Sequence, residues 1–441
     1  MTTAFLQLLV SLAAGIGIII LLTAKYRIPA FFALFLACFL VGWGVQLPVP
    51  AIISAMKDGF GNILKSLGFI IVLGTLLGVI LEYTGGTRVM AAFILRLAGE
   101  KNAALAMGIT GFIVGLPIFC DSGYIVLSGL NKSVAARTRV AMVTMSVSLA
   151  AGLYAVHCLI PPHPGATAAA GMIRVSPGLL MLTGIAVAIP AAIAGCWWAA
   201  WAGKKLPDIP AVTTPEMETI PRIPVWLAFL PVAIPILLIG IGAFTGLEKQ
   251  ATPIARITGI LGDPVIALSI GILLAAMQLP ARTAAVISPL MQEAAEKAGG
   301  ILVIIGAGGA FGAVLAATGM GRHLGTAFHL GQAGIFFPFL LAALLKTAQG
   351  SSTVAIITAA AIVEPLLPAL GLNDPTGRLL CMLALGGGSM MISHANDAYF
   401  WVVAKFSGVE MKAMLKVYSV ATLLMGLTTL AVVYILSLIL R

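Results

Sequence analysis

Apolar residues dominate seven long stretches of this chain: 4–24, 30–47, 67–82, 177–201, 225–245, 258–279 and 413–440. Each is near or above the roughly 18 residues that a helix needs to cross a bilayer. The first run has no basic flank and no small-residue cleavage site, and further runs follow it, which predicts a retained span and not a signal peptide. Composition points the same way. Of 441 residues 60% are hydrophobic and 9% charged, and the mean hydropathy is +1.10. A soluble domain carries about 25% charged residues. Too few charges remain here for a water-facing surface, so the pattern predicts an all-α polytopic membrane protein.

Polar residues break the apolar pattern at four short places: GLPIFCDSG at 115–123, HCLIPPHPG at 157–165, KTAQGSST at 346–353 and GGGSMMISHAND at 386–397. They fall two to each half of the chain, on either side of a proline-rich polar stretch at 202–224. The halves also resemble one another. At an offset of 234, Gly74, Gly78, Leu81, Thr84, Gly85 and Arg88 fall on Gly308, Gly312, Leu315, Thr318, Gly319 and Arg322. Internal repeats with paired interruptions of spanning helices are a sequence signature of secondary transporters.

The net charge of +10 is spread over short loops and forms no cluster, which excludes a nucleic-acid partner and makes Lys and Arg useful as topology markers. Cytoplasmic loops carry the excess of basic residues. Placing Lys25 and Arg27 inside also brings Arg88, Arg96 and Lys101 inside. Lys132, Arg137 and Arg139 stay inside only if 103–130 dips into the membrane and returns. Two arms of ~14 residues reach ~21 Å, which suits a re-entrant hairpin. The full expectation is two inverted repeats of about five spans and one hairpin each. Residues 1–201 hold hairpin 103–130 and broken span 140–170; residues 202–224 form a cytoplasmic linker; residues 225–441 hold hairpin 335–370 and broken span 376–403. Both termini then lie on the outer side.

The interruptions carry the candidate chemistry. Unpaired backbone groups are tolerated at membrane depth only where they face protein or a water-filled cavity. Pro161, Pro162 and Pro164 remove amide donors and stop the helix, so HCLIPPHPG predicts an unwound link flanked by His157 and His163. Asp121, beside Ser122 at the first hairpin tip, and Asp397 at the second break are costly at that depth and are candidates for ion coupling. Gln349, Gly350, Ser351, Ser352 and Thr353 form the second tip, where amides, hydroxyls and a helix N-terminus suit an anion. Ser393, His394 and Asn396 complete the predicted pocket. Lys346 pairs either with a substrate carboxylate or with a resident acid. Glu82 and Glu364 read as interfacial, and His323 and His329 receive no role. The five cysteines (Cys38, Cys120, Cys158, Cys196, Cys381) lie in apolar surroundings without CxxC or Cys/His spacing, so neither a metal site nor a cofactor is predicted. An intramembrane enzyme is disfavoured, since no HExxH and no Ser/Lys dyad is present. A channel is disfavoured because paired broken helices predict a sequestered site.

At LPIFCDSGYIVL (116–127), HCLIPPHPG (157–165), LKTAQGSSTVA (345–355) and GGGSMMISHANDAYFW (386–401) the chain resembles the gluconate permease family, within the larger group of ion-coupled carboxylate transporters. The resemblance runs over nearly the whole length. It implies proton symport of a sugar acid or related hydroxy acid across a bacterial inner membrane, with sodium coupling or an amino-acid substrate as the alternative. It also implies a homodimer with a moving transport domain, and places Asp121, His157, His163, Gln349, Ser351, Ser352, Thr353, Ser393, His394, Asn396 and Asp397 around the substrate. This chain departs from the family pattern where Asp121 replaces a glutamate and Lys346 an arginine.

Overall fold

The computed structural model describes residues 3–99, 102–204, 222–245, 253–319 and 333–440. The predicted linker lies largely outside the described residues, as do His323 and His329. Among the described residues every regular element is helical. In chain order they are α1 (Thr3–Ile20), α2 (Ala30–Gly44), α3 (Val49–Thr84), α4 (Gly86–Ala98), α5 (Ala103–Gly115), α6 (Cys120–Thr138), α7 (Met142–Leu159), α8 (Pro164–Met172) and α9 (Pro177–Gly203). After the linker come α10 (Val225–Thr245), α11 (Pro253–Leu261), α12 (Pro264–Ala276), α13 (Ala284–Ala317), α14 (Phe336–Gln349), α15 (Ser352–Val363), α16 (Pro375–Met390), α17 (Ala398–Ser407) and α18 (Met411–Leu440).

Proline sets many of these starts. Pro164, Pro177, Pro264 and Pro375 each occupy a first helical position, where the missing amide costs nothing and φ is already helical. Asp263 and Asp374 supply the caps before two of them, accepting from the amides of Val265 and Gly377. The first of these caps corrects an expectation. The apolar run 258–279 is two helices, α11 and α12, because Gly262-Asp263-Pro264 ends one and starts the next.

A second correction concerns length. The expected span at 67–82 is the later half of α3, and α13 is built alike; the two have 36 and 34 residues and so run ~54 and ~51 Å. Their earlier halves are too polar to register as spans, yet they keep a buried stripe: Ile52, Gly59, Ile63 and Leu67 on α3, and Leu290, Ala294 and Ala298 on α13. The two helices lie against each other in close contact. A Cβ added at Gly59 would stand 2.3 Å from the carbonyl oxygen of Gly309.

α5 and α6 form a helix–turn–helix with its turn at 116–119, and α14 and α15 form another with its turn at 350–351. α7 and α8 are separated at 160–163, and α16 and α17 at 391–397. These are the four predicted interruptions. α7 is enclosed on every side, all of its residues being buried; it packs against α5, α6 and α9, while α15 packs against α8. A helix apolar on every face belongs in such a position. From α2 onward, element starts recur at nearly constant spacing: α2 with α12, α3 with α13, α5 with α14, α6 with α15, α7 with α16, α8 with α17 and α9 with α18 are 232 to 235 residues apart.

The α5–α7 crossing depends on glycine. A Cβ at Gly152 would lie 2.1 Å from the carbonyl oxygen of Gly108 and 2.6 Å from the amide of Phe112. Gly152→Val is expected to destabilise the protein by about 1–3 kcal/mol, the usual cost of overpacking, and to lower the unfolding temperature in detergent. An unchanged transition would show that the two helices are not in backbone contact.

Candidate functional site

The two breaks cap the two hairpins. At the end of α14 the last carbonyls have no intrahelical donor. Asn396, from the break between α16 and α17, donates Nδ2 to the carbonyls of Thr347 and Ala348 at 2.8 and 3.2 Å, and His394 Nε2 lies 3.0 Å from that of Thr347. The first half has the same device. His163, in the break between α7 and α8, places Nε2 2.7 Å from the carbonyl of Gly115, the last residue of α5. A carbonyl can only accept, so Nε2 of both histidines carries the hydrogen.

A buried ion pair fixes the second hairpin more firmly. Lys346 on α14 is fully buried (0% exposed). Its Nζ donates to Asp397 Oδ2 at 2.7 Å and to the carbonyl of Gly350 at 2.6 Å. Asp397 is otherwise occupied as well. Ser393 donates its hydroxyl to Oδ2, and Oδ1 accepts the Tyr399 amide at 3.0 Å, capping α17. Gly350 makes the turn possible twice over. Its φ of +84° is left-handed, which glycine adopts without strain. A Cβ there would meet the carbonyl oxygen of Asn396 at 2.2 Å.

α8 and α15 meet at their N-termini. A Cβ at Gly165, the second residue of α8, would lie 3.2 Å from the Cα of Thr353. Ser351 caps α15 through Val354, and the buried Ser352 opens it. Thr353 Oγ1 lies 3.3 Å from His157 Nε2, and the His157 and His163 rings are 5.1 Å apart. Around this junction several buried polar atoms have no partner among the described residues: Nδ1 of His157, Nδ1 of His163, and both Oε1 and Nε2 of Gln349, which is 8% exposed. Buried polar atoms are rarely left unpaired, so the junction is built for something further.

Asp121 sits in the first turn of α6 and is exposed. Among the described residues it has no hydrogen-bond or ion-pair partner, though it is near enough to Asp397 for their charges to interact. Aromatic rings join the two halves here. Tyr399 lies between Tyr154, Tyr124 and Tyr418, with centroids at 5.5, 6.3 and 6.1 Å. The structure thus gathers the predicted residues from all four interruptions. Ser122 is the exception: it faces a separate cleft with Glu82 and Lys297. Among the described residues no three His, Cys, Asp or Glu side chains could share a metal ion.

The sequence model of the GntP family permeases matches residues 7–439. A gluconate permease of Pseudomonas aeruginosa is 34% identical, the alignment covering 98% of each chain. The chain belongs to the GntP permease family. It is therefore a multi-pass membrane permease and not an enzyme. The D-serine transporter DsdX of Escherichia coli is 28% identical to this permease, with 97% of each chain covered. Among solved structures the YdaH transporter of Alcanivorax borkumensis has a similar fold, with a TM-score of 0.63 at 16% identity, covering 88% of the permease and 89% of that chain.

Two features of the permease's site escaped the sequence reading. The partner of Lys346 was undecided, because a lysine within an apolar hairpin does not reveal which acid the fold brings to it. The tyrosines went unremarked, although Tyr124 and Tyr399 stand in the CDSGY and NDAY motifs, three and two residues after the acids. Removing one partner of a buried ion pair leaves an uncompensated charge and costs about 3–5 kcal/mol. Lys346→Met is accordingly expected to lower the unfolding temperature sharply. Combining it with Asp397→Leu is expected to recover much of the loss. A single variant as stable as the native chain would show that the pair holds nothing together.

Proposed function

We propose that this permease is a secondary transporter that brings a small sugar acid or related hydroxy-carboxylate, of the gluconate type, into a bacterial cell by proton symport. The observation that carries the proposal is the meeting of α8 and α15. Two helix N-termini present free amides and positive dipole ends at one point, and among the described residues no acidic side chain occupies it. Lys346 is engaged by Asp397, so the substrate carboxylate is held by the Ser352, Thr353 and Gly165 region. The unpaired atoms of His157, His163 and Gln349 receive the substrate hydroxyls. The P. aeruginosa relative's name supports this substrate class.

Asp121 carries the coupled proton in this reading. Asp397 has three partners and keeps the second hairpin in register, whereas the Asp121 side chain has none among the described residues and can change charge without breaking a contact there. The recurrence of element starts supports two repeats. The distribution of Lys and Arg supports their inverted orientation, with re-entrant hairpins at α5–α6 and α14–α15, a cytoplasmic linker and periplasmic termini in the inner membrane. An elevator-type movement is supported by glycines where the long helices meet the parts that bear the site. Gly78 faces the Pro117 carbonyl, Gly74 faces Pro162, and Gly308 faces Ile357. We place this movement within a homodimer, as the family resemblance implies.

A second reading, a sodium-coupled or amino-acid carrier, is favoured by the similarity to DsdX, for an unpaired Asp121 also suits a substrate ammonium. Purified protein warmed with a panel of acids separates the two, because a ligand that binds only the folded state raises its apparent stability. D-gluconate or a related aldonate is expected to raise the unfolding temperature by several degrees. A shift with D-serine and none with any sugar acid would overturn the substrate assignment.

In proteoliposomes, an inward proton gradient is expected to drive D-gluconate accumulation with sodium absent. Asp121→Asn should lose that accumulation while keeping gluconate exchange. Gradient-driven accumulation by Asp121→Asn at the native level would remove Asp121 from the coupling role.

A further inference from the structure

The first turn of α8 is left open. A helix gives its first amides no intrahelical acceptor, and the side chain of the residue ahead of it ordinarily takes one of them. His163 holds that position before α8 and makes no such bond. Among the described residues the amides of Gly165 and Ala166 have no acceptor.

The His163 ring turns instead to the end of the first hairpin arm, where Nε2 donates to the Gly115 carbonyl at 2.7 Å. His163 is 2% exposed. The rings of His157 and Phe119 lie beside it, with centroids at 5.1 and 6.3 Å. Among the described residues no carboxylate pairs with it. An unpaired buried charge is costly, so the imidazole is neutral. With the hydrogen held on Nε2, Nδ1 is a bare acceptor, and it has no donor among the described residues. The first hairpin thus fixes the chemistry of an atom that belongs to the break between α7 and α8.

A carboxylate avoids a bare acceptor. A substrate carboxylate on the amides of Gly165 and Ala166 therefore turns another group toward Nδ1. That nitrogen is bonded to Cγ, on the backbone side of the ring, and so stands close to the first turn of α8. The substrate group within reach is the one on C2, the carbon next to the carboxylate, and it has to donate a hydrogen. His157 makes no such demand, because its Nε2 faces the Thr353 hydroxyl at 3.3 Å, which can donate or accept. Gln349 has an amide donor and a carbonyl acceptor unpaired, and suits hydroxyls of either role farther along the substrate.

We propose that His163 selects substrates by a hydrogen-bond donor on C2, so that a 2-hydroxy acid fits and a 2-deoxy or 2-keto acid does not. The inference deepens the substrate reading above and rests on the carboxylate seat proposed there. A 2-ammonium group donates too, so D-gluconate and D-serine share this chemistry and the test separates them.

Dissociation constants are measured with the purified full-length chain. 2-Deoxy-D-gluconate and 2-keto-D-gluconate are expected to bind about tenfold to a hundredfold more weakly than D-gluconate, because each leaves one buried acceptor unpaired. 3-Deoxy-D-gluconate keeps the C2 hydroxyl and should lose less. In His163→Phe the gap between D-gluconate and its 2-deoxy analogue should close. His163→Asn places a carbonyl oxygen where Nδ1 stands and should keep part of the gap. The analogue series on the native chain decides the matter where His163→Phe does not fold. Equal binding of D-gluconate and 2-deoxy-D-gluconate, a larger loss for the 3-deoxy acid, or a full gap in His163→Phe would overturn the inference and leave the gluconate reading in place. Binding of D-serine and of no sugar acid, with 3-hydroxypropanoate rejected, would sink the gluconate reading and leave the C2 requirement standing. Binding of neither D-gluconate nor D-serine would overturn both.

Discussion

Where a helix stops, its last carbonyls need donors from elsewhere, and this permease has four such interruptions. The structure solves the problem crosswise. The break between α7 and α8 caps the first hairpin through His163, and the break between α16 and α17 caps the second through Asn396 and His394. Neither hairpin end is complete without a side chain from another element. The site is therefore a consequence of how broken backbone is made stable, and in the proposed reading its residues serve structure and recognition together.

The pair of Lys346 and Asp397 shows the balance of terms. Burying two charges costs several kcal/mol each, and attraction offsets this only when the remaining hydrogen bonds are also made. Here they are. The ammonium reaches the Gly350 carbonyl, and the carboxylate takes the Ser393 hydroxyl and the Tyr399 amide. A group so fully partnered makes a poor shuttle. Asp121, whose side chain is exposed and has no partner among the described residues, is the better one. In the proposed reading the two acids divide the work of holding the pocket and coupling it to an ion.

The long helices α3 and α13 frame the site without entering it. Their glycines allow backbone contact between them, at Gly59 and Gly309, and let the hairpins approach, through the Pro117 carbonyl at Gly78 and the Ile357 side chain at Gly308. Without a hydrophobic drive between helices in lipid, close packing of small residues supplies much of the attraction. In the proposed elevator reading the same smoothness suits surfaces that slide.

Hydropathy and the four polar motifs were enough to read an all-helical membrane protein, its interruptions and most residues that meet at the site. These are local properties: length, the punctuation of proline and glycine, and the rarity of polar groups in apolar runs. Hydropathy failed on the earlier halves of α3 and α13, because a polar helix face looks like a loop when only average polarity is counted. It failed on 258–279, where Asp263 and Pro264 end a run that stays apolar. The partner of Lys346, the position of Ser122 in another cleft, and the pairing of Glu82 with Lys297 across 215 positions of sequence were settled by tertiary structure alone. Each depends on which helices the chain lays side by side, and a one-dimensional pattern carries no information about the neighbour on a helix's other face.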